Sequence, residues 1–113
     1  MDRPKVIRIL LVEDTPADVE IMREAIALER DQAFEVTHVS RLSDGLGYLC
    51  RAQVDLVLLD LQLPDAQGLE TVDRMLAQAP TTPIVVLTAS DNDALALQAV
   101  QRGAQDYLVK GYV

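Results

Sequence analysis

Three carboxylates, a hydroxyl and an ammonium close the apolar runs of this chain. The run over 6–12 ends at Glu13-Asp14, that over 54–59 at Asp60, that over 84–87 at Thr88, and that over 107–109 at Lys110. In an open parallel α/β sheet the carboxyl ends of the strands share one rim, where such folds place their sites. Were these runs neighbouring parallel strands, the five groups would meet there. Together they suit the binding of a divalent cation and the transfer of a phosphoryl group.

Each residue has a plainer reading when taken singly. A lone Asp60 after a strand is more often a helix cap or loop acid, and a threonine closing a strand is commonplace. Lys110 alone is as readily a solvated lysine. The combination changes the balance. Three packed carboxylates repel one another, so such a cluster normally persists around a hard cation. Mg²⁺ takes one or two protein carboxylates plus phosphate oxygens and keeps several waters, which matches this donor set. Asp60 is then the candidate nucleophile, because a carboxylate can hold a phosphoryl group as an acyl phosphate. Lys110 would neutralise the phosphoryl oxygens as charge develops, with Thr88 as a hydrogen-bond donor. Ala89 is small enough to permit close approach.

The elements that must position these groups follow from the pattern between them. Thr15-Pro16 predicts an N-cap and a proline at the first helical position, opening a helix to about Arg30 with Val19, Met22 and Ile26 on one face. Residues 34–39 read as a second strand, and Ser43-Asp44 as the start of a short helix carrying Leu46, Leu49 and Cys50. A loop over 61–68 follows Asp60, then a helix with Leu69, Val72, Met75 and Leu76 inward. Pro80 and Pro83 stop it. Ser90 or Asp91 caps a helix over 94–102, with Gly103 at its C′ position, and 106–109 form the fifth strand. Near-continuous Val/Leu/Ile strands alternating with helices indicate a doubly wound parallel sheet.

Composition narrows the function classes. The 113 residues make one domain, and ten Lys and Arg against eighteen Asp and Glu give a net charge of −8. That balance argues against direct nucleic-acid binding. No apolar run approaches the roughly 20 residues of a membrane span. The five residues before the first strand leave no room for a signal peptide, so a cytoplasmic location is expected. Cys50, the single cysteine, is expected as a buried structural thiol. His38, the single histidine, is expected to be structural and away from the rim.

In order along the chain, Leu-Val-Glu13-Asp14, Leu-Leu-Asp60-Leu-Gln-Leu-Pro64-Asp-Ala-Gln-Gly68-Leu-Glu, Val-Leu-Thr88-Ala89-Ser and Gly103-Ala-Gln-Asp-Tyr107-Leu-Val-Lys110 resemble the receiver domain of two-component response regulators. Proline four and glycine eight residues after the acidic acceptor belong to that pattern, as do an aromatic three residues before the lysine and a lysine 22 residues beyond the threonine. Any one piece is weak; the ordered set is specific.

The resemblance implies a flavodoxin-like five-stranded sheet of order 2-1-3-4-5. It implies that Asp60 is the phosphoacceptor, charged from a phosphohistidine on a sensor histidine kinase or histidine phosphotransfer protein. Asp14 and Asp60 would bind Mg²⁺ directly and Glu13 through water, with the backbone carbonyl of Gln62 as a further ligand. Thr88, Ala89 and Lys110 would contact the phosphoryl group. Thr88 and Tyr107 would switch together, reshaping the surface of the fourth helix and fifth strand. In receivers the first helix meets the phosphodonor, which makes Ile21 a candidate docking residue. Such a domain is a switch rather than an enzyme, with at most slow autophosphorylation from small donors and self-dephosphorylation.

Three departures stand out. The acid pair is Glu-Asp rather than Asp-Asp, a common variant. Gly111 follows Lys110 where many receivers carry a cis proline. The chain stops at Val113, so the expectation is a receiver over 1–113 that lacks a fifth helix and an output domain and self-associates through the face left bare. Of the competing readings, haloacid-dehalogenase-type phosphatases also use an aspartyl nucleophile after a strand. They need a second acid two residues on, where this chain has Gln62. A receiver-shaped interaction module that is never phosphorylated typically loses one of the four site elements, and all four are retained. A flavin-binding flavodoxin is disfavoured by the acidic first loop, which would repel a phosphate.

Overall fold

The computed structural model describes residues 5–89 and 93–110. Strand β1 (Val6–Val12) lies inside a five-stranded parallel sheet between β2 (Ala33–Val39) and β3 (Leu56–Asp60), followed by β6 (Ile84–Thr88) and β7 (Asp106–Val109), giving the order β2-β1-β3-β6-β7. Counting only these five strands, this is the expected 2-1-3-4-5. Helices α1 (Pro16–Ala27), α2 (Leu42–Arg51), α3 (Leu69–Gln78) and α4 (Asp93–Arg102) make the crossovers. Register aligns Val12 with Leu59, Asp60 with Leu87 and Thr88 with Val109, so the strand ends come level.

The sheet is apolar on both faces because each face is packed by helix. One face carries Leu10, Val12, Val57, Leu59, Ile84 and Val86 against Leu42 of α2, Val72 and Met75 of α3 and Ala99 of α4. The other carries Ile9, Leu11, Leu58 and Leu87 against Val19 and Met22 of α1. Among the described residues α1 is the only helix on that second face. Leu58 and Leu87 are nevertheless buried, half-buried Leu56 and Val85 flank them, and Leu108 is exposed.

Several local expectations are corrected. Helix α1 stops at Ala27, short of Arg30. The Leu28 and Glu29 N–H groups turn back to Glu24 and Ile26, and no apolar residue beyond Ile26 faces the core. Thr15 makes no side-chain cap bond. Residues 61–68 hold a small antiparallel hairpin, β4 (Gln62–Leu63) and β5 (Ala66–Gln67), because Leu63 and Ala66 both turn inward. Helix α2 begins one residue early, at Leu42, since the Asp65 carboxylate accepts the Leu42 and Ser43 N–H groups at 2.8 and 2.9 Å. Cys50 is exposed rather than buried. The inward stripe of α2 is Leu42, Gly45, Leu46 and Leu49, which leaves Cys50 at its margin beside the Gln78 amide. Gly103 has φ 127°, in keeping with its C′ position. The expected caps Ser90 and Asp91, and the Lys110–Gly111 linkage, lie outside the described residues.

Candidate functional site: an acidic rim closed by one lysine

Main-chain pairing carries the site residues past the strand ends. The Glu13 N–H donates to the Val39 carbonyl at 3.0 Å, and the Lys110 N–H donates to the Thr88 carbonyl at 2.8 Å. These bonds extend the ladder by one residue, so Glu13, Asp60, Thr88 and Lys110 reach the same rim. Ligand oxygens of Glu13, Asp14 and Asp60 all lie within 4.8 Å of one another. Glu13 is fully buried, Asp60 and Thr88 are each 4% exposed, and Asp14 faces solvent. The Lys110 ammonium reaches over this cluster, with Nζ 2.8 Å from Glu13 Oε1, 3.2 Å from Asp60 Oδ2 and 3.2 Å from Asp18 Oδ2.

Crowding and burial set the electrostatics. Burial, and then the adjoining Asp60 carboxylate, push Glu13 from 4.5 up to about 7, while Lys110 opposes both. Burial alone would lower Lys110, but Glu13, Asp60 and Asp18 more than offset it and hold the ammonium charged. Buried polar groups normally have partners. Among the described residues, Thr88 Oγ1 is buried without a hydrogen-bond partner, and Glu13 Oε1 meets only the Lys110 ammonium. Three clustered carboxylates, one of which resists ionisation beside its neighbours, fit a hard dication. The same rim offers Lys110 and the Thr88 hydroxyl to phosphoryl oxygens.

The other candidate residues fall around this centre. The Gln62 N–H donates to Asp60 Oδ1 at 3.1 Å, which fixes the carboxylate's rotation. Gln62 also lines an open cleft of about 430 Å³ with Asp14, Thr15, Asp60, Pro64 and Lys110. Ala89 lines a smaller recess with Asp60, Thr88, Leu95 and Lys110. Tyr107 is half-buried on β7, paired with Val86, and shares the Thr88 face of the sheet. Ile21 is not part of the rim; it is 39% exposed on α1.

Three contacts escaped sequence reasoning. Asp18 joins Lys110, and the only signal was an acid in the first turn of the helix that leaves the acid pair. Asp65 caps α2 from the hairpin tip across 23 residues, which local patterning does not register. His38 is not away from the rim: its Nε2 lies 2.7 Å from the Glu13 carbonyl oxygen. It stands one residue from the end of β2, which runs level with the end of β1.

Known proteins share this sequence pattern and fold. The profile of the response regulator receiver domain matches residues 9–112. The chain is 38% identical over 110 residues to protein-glutamate methylesterase/protein-glutamine glutaminase 2 of Anaeromyxobacter dehalogenans, covering 96% of the chain and 31% of that protein. It is 37% identical over 103 residues to the alginate biosynthesis transcriptional regulatory protein AlgB of Pseudomonas aeruginosa, covering 91% of the chain and 22% of that protein. The chain thus spans less than a third of the length of either of these curated relatives. Among solved structures, the phosphorylated cyanobacterial phytochrome response regulator RcpA superposes with a TM-score of 0.82 at 28% identity, covering 96% of the chain and 83% of its own. The Mn²⁺-bound response regulator Rcp1 superposes at 0.80 with 28% identity, covering 97% and 84%. An acidic rim on a five-stranded sheet, in a chain matched by the receiver profile almost from end to end, makes this protein a member of the response regulator receiver domain family, the signalling switches of two-component systems.

Proposed function

We propose that Asp60 accepts a phosphoryl group from a phosphohistidine of a sensor histidine kinase or histidine phosphotransfer protein. A carboxylate oxygen of Asp60 attacks phosphorus, forming an O–P bond as the N–P bond of the donor breaks. The electron pair stays on the imidazole nitrogen, which takes a proton, and Asp60 becomes an acyl phosphate. Lys110, Thr88 and Ala89 line the space that the phosphoryl oxygens would enter. Glu13, Asp14, Asp60 and the Gln62 carbonyl would hold Mg²⁺, which when bound supplies positive charge against the phosphoryl oxygens. The similarity to a phosphorylated receiver and to a Mn²⁺-bound one supports both parts.

The observation that carries this reading is the buried Asp60 carboxylate, held between two further acids and the Lys110 ammonium at 3.2 Å. A phosphoryl group on Asp60 would draw the Thr88 hydroxyl inward, with Tyr107 following on the same face. The surface so altered, around α4 and β7, carries the exposed Leu97. Residues 1–113 act in this reading as one receiver unit whose downstream partner reads that surface. Acid-labile incorporation of one phosphoryl group from acetyl phosphate with Mg²⁺, seen by intact mass, tests it. The reading requires that Asp60→Asn incorporates none. A parent chain that stays unmodified would make it a receiver-shaped interaction module instead.

A further inference from the structure

Lys110 is hydrogen-bonded by an acid that belongs to none of the strand ends. Asp18 Oδ2 accepts from Nζ at 3.2 Å, beside Glu13 Oε1 at 2.8 Å and Asp60 Oδ2 at 3.2 Å. Asp18 is the third residue of α1, three after Thr15. In a capping box an acid at this position reaches back to the N–H of the capping residue. Here the Thr15 N–H is donated to Glu13 Oε2 at 3.2 Å, so Asp18 is free to extend across the rim to Lys110. Attraction to the helix macrodipole accounts for an acid in a first turn. It does not account for a half-buried one aimed at the single ammonium of the site.

We infer that Asp18 is a positioning residue that holds the Lys110 ammonium on the α1 side of the rim and competes for it with the phosphoryl group received by Asp60. The inference rests on the phosphoacceptor reading above. An ammonium is one point charge with three donors. Each phosphoryl oxygen it meets is gained partly at the expense of Asp18. Asp18 therefore weakens the phosphorylated state without touching phosphate or metal, and so tunes how readily the switch turns on.

The test is beryllofluoride affinity, a phosphoryl mimic, measured on the full chain at saturating Mg²⁺. Asp18→Asn should tighten it about three- to tenfold, the range for losing one partly exposed charge-assisted contact. Asp18→Glu should behave as the parent. Glu20→Gln, which removes the same charge from the exposed side of α1, should leave the affinity unchanged. In a Lys110→Met background the gain from Asp18→Asn should vanish, as a double-mutant cycle requires of direct coupling. No gain in Asp18→Asn, or an equal gain without Lys110, overturns the inference. A parent chain that fails to take up beryllofluoride overturns the phosphoacceptor reading instead. The contact is then decided separately by solvent exchange of the Lys110 ammonium protons, which should quicken in Asp18→Asn; an unchanged rate contradicts it.

Discussion

At the scale of single residues, Glu13 concentrates the cost of building this site. It is fully buried beside Asp60, and together burial and the neighbouring carboxylate raise it to about 7. An acid whose folded pKa lies above its unfolded value favours folding when protonated. That stability is present below about 4.5 and is lost as pH rises through about 7, a change on the order of 3 kcal/mol. With divalent cations chelated, the melting temperature should therefore fall between about pH 5 and pH 8. Glu13→Gln should flatten that slope, and millimolar Mg²⁺ should reverse much of the loss because it binds only the folded arrangement. A melting temperature that rises across this window without metal would contradict the geometry. The identity of the strand-end acids was legible in the sequence because each follows an apolar run directly. The contact of His38 with the Glu13 carbonyl was not, because it depends on how far β2 runs beside β1, a matter of register.

At the scale of elements, the hairpin β4–β5 ties the end of β3 to α2. Its tip residue Asp65 caps the first turn of α2 with both carboxylate oxygens, and those two N–H donors hold it below the ordinary carboxylate range. The stabilisation is present above that range and fades as pH falls through the lowered value. Asp65→Ala should lower unfolding stability by about 1 kcal/mol, as for other N-caps, whereas Asp65→Asn should cost less. Equal stability of Asp65→Ala and the parent in denaturant titration would show the cap to be idle. Helix α1 is apolar on two sides. Val19 and Met22 face the sheet, while Ile21 and Leu28 stay exposed on the outside. If the outer side docks the phosphodonor, Ile21→Glu should slow transfer from a phosphohistidine protein but not from acetyl phosphate. Equal slowing with both donors would point to damage at the rim. The short hairpin was hidden in the sequence, since two-residue strands carry no period to read. The long strands and helices were legible because Val, Leu and Ile recur with the spacing of buried faces.

At the scale of the whole molecule, one sheet serves as the frame on which the acids, the hydroxyl and the lysine meet. The order β2-β1-β3-β6-β7 places β1, β3 and β6 side by side, with β7 beyond, so four strand ends and one rim follow from the crossovers. Among the described residues, no helix is long and apolar enough to cross a membrane. On the face that α1 covers, half-buried Leu56 and Val85 and the exposed Leu108 form an apolar margin. We expect the 113-residue chain to associate weakly through it. Light scattering over a dilution series should show mass rising with concentration, and a monomer throughout would contradict this. In the proposed reading, this rim places a phosphoryl group on Asp60. Its most direct test is to expose the chain to acetyl phosphate with Mg²⁺, reduce with borohydride, which converts an aspartyl phosphate to homoserine, and map the peptides by mass. Homoserine is expected at position 60 alone, and is expected to be lost when Mg²⁺ is chelated. Reduction at another carboxylate, or labelling indifferent to chelation, would contradict it.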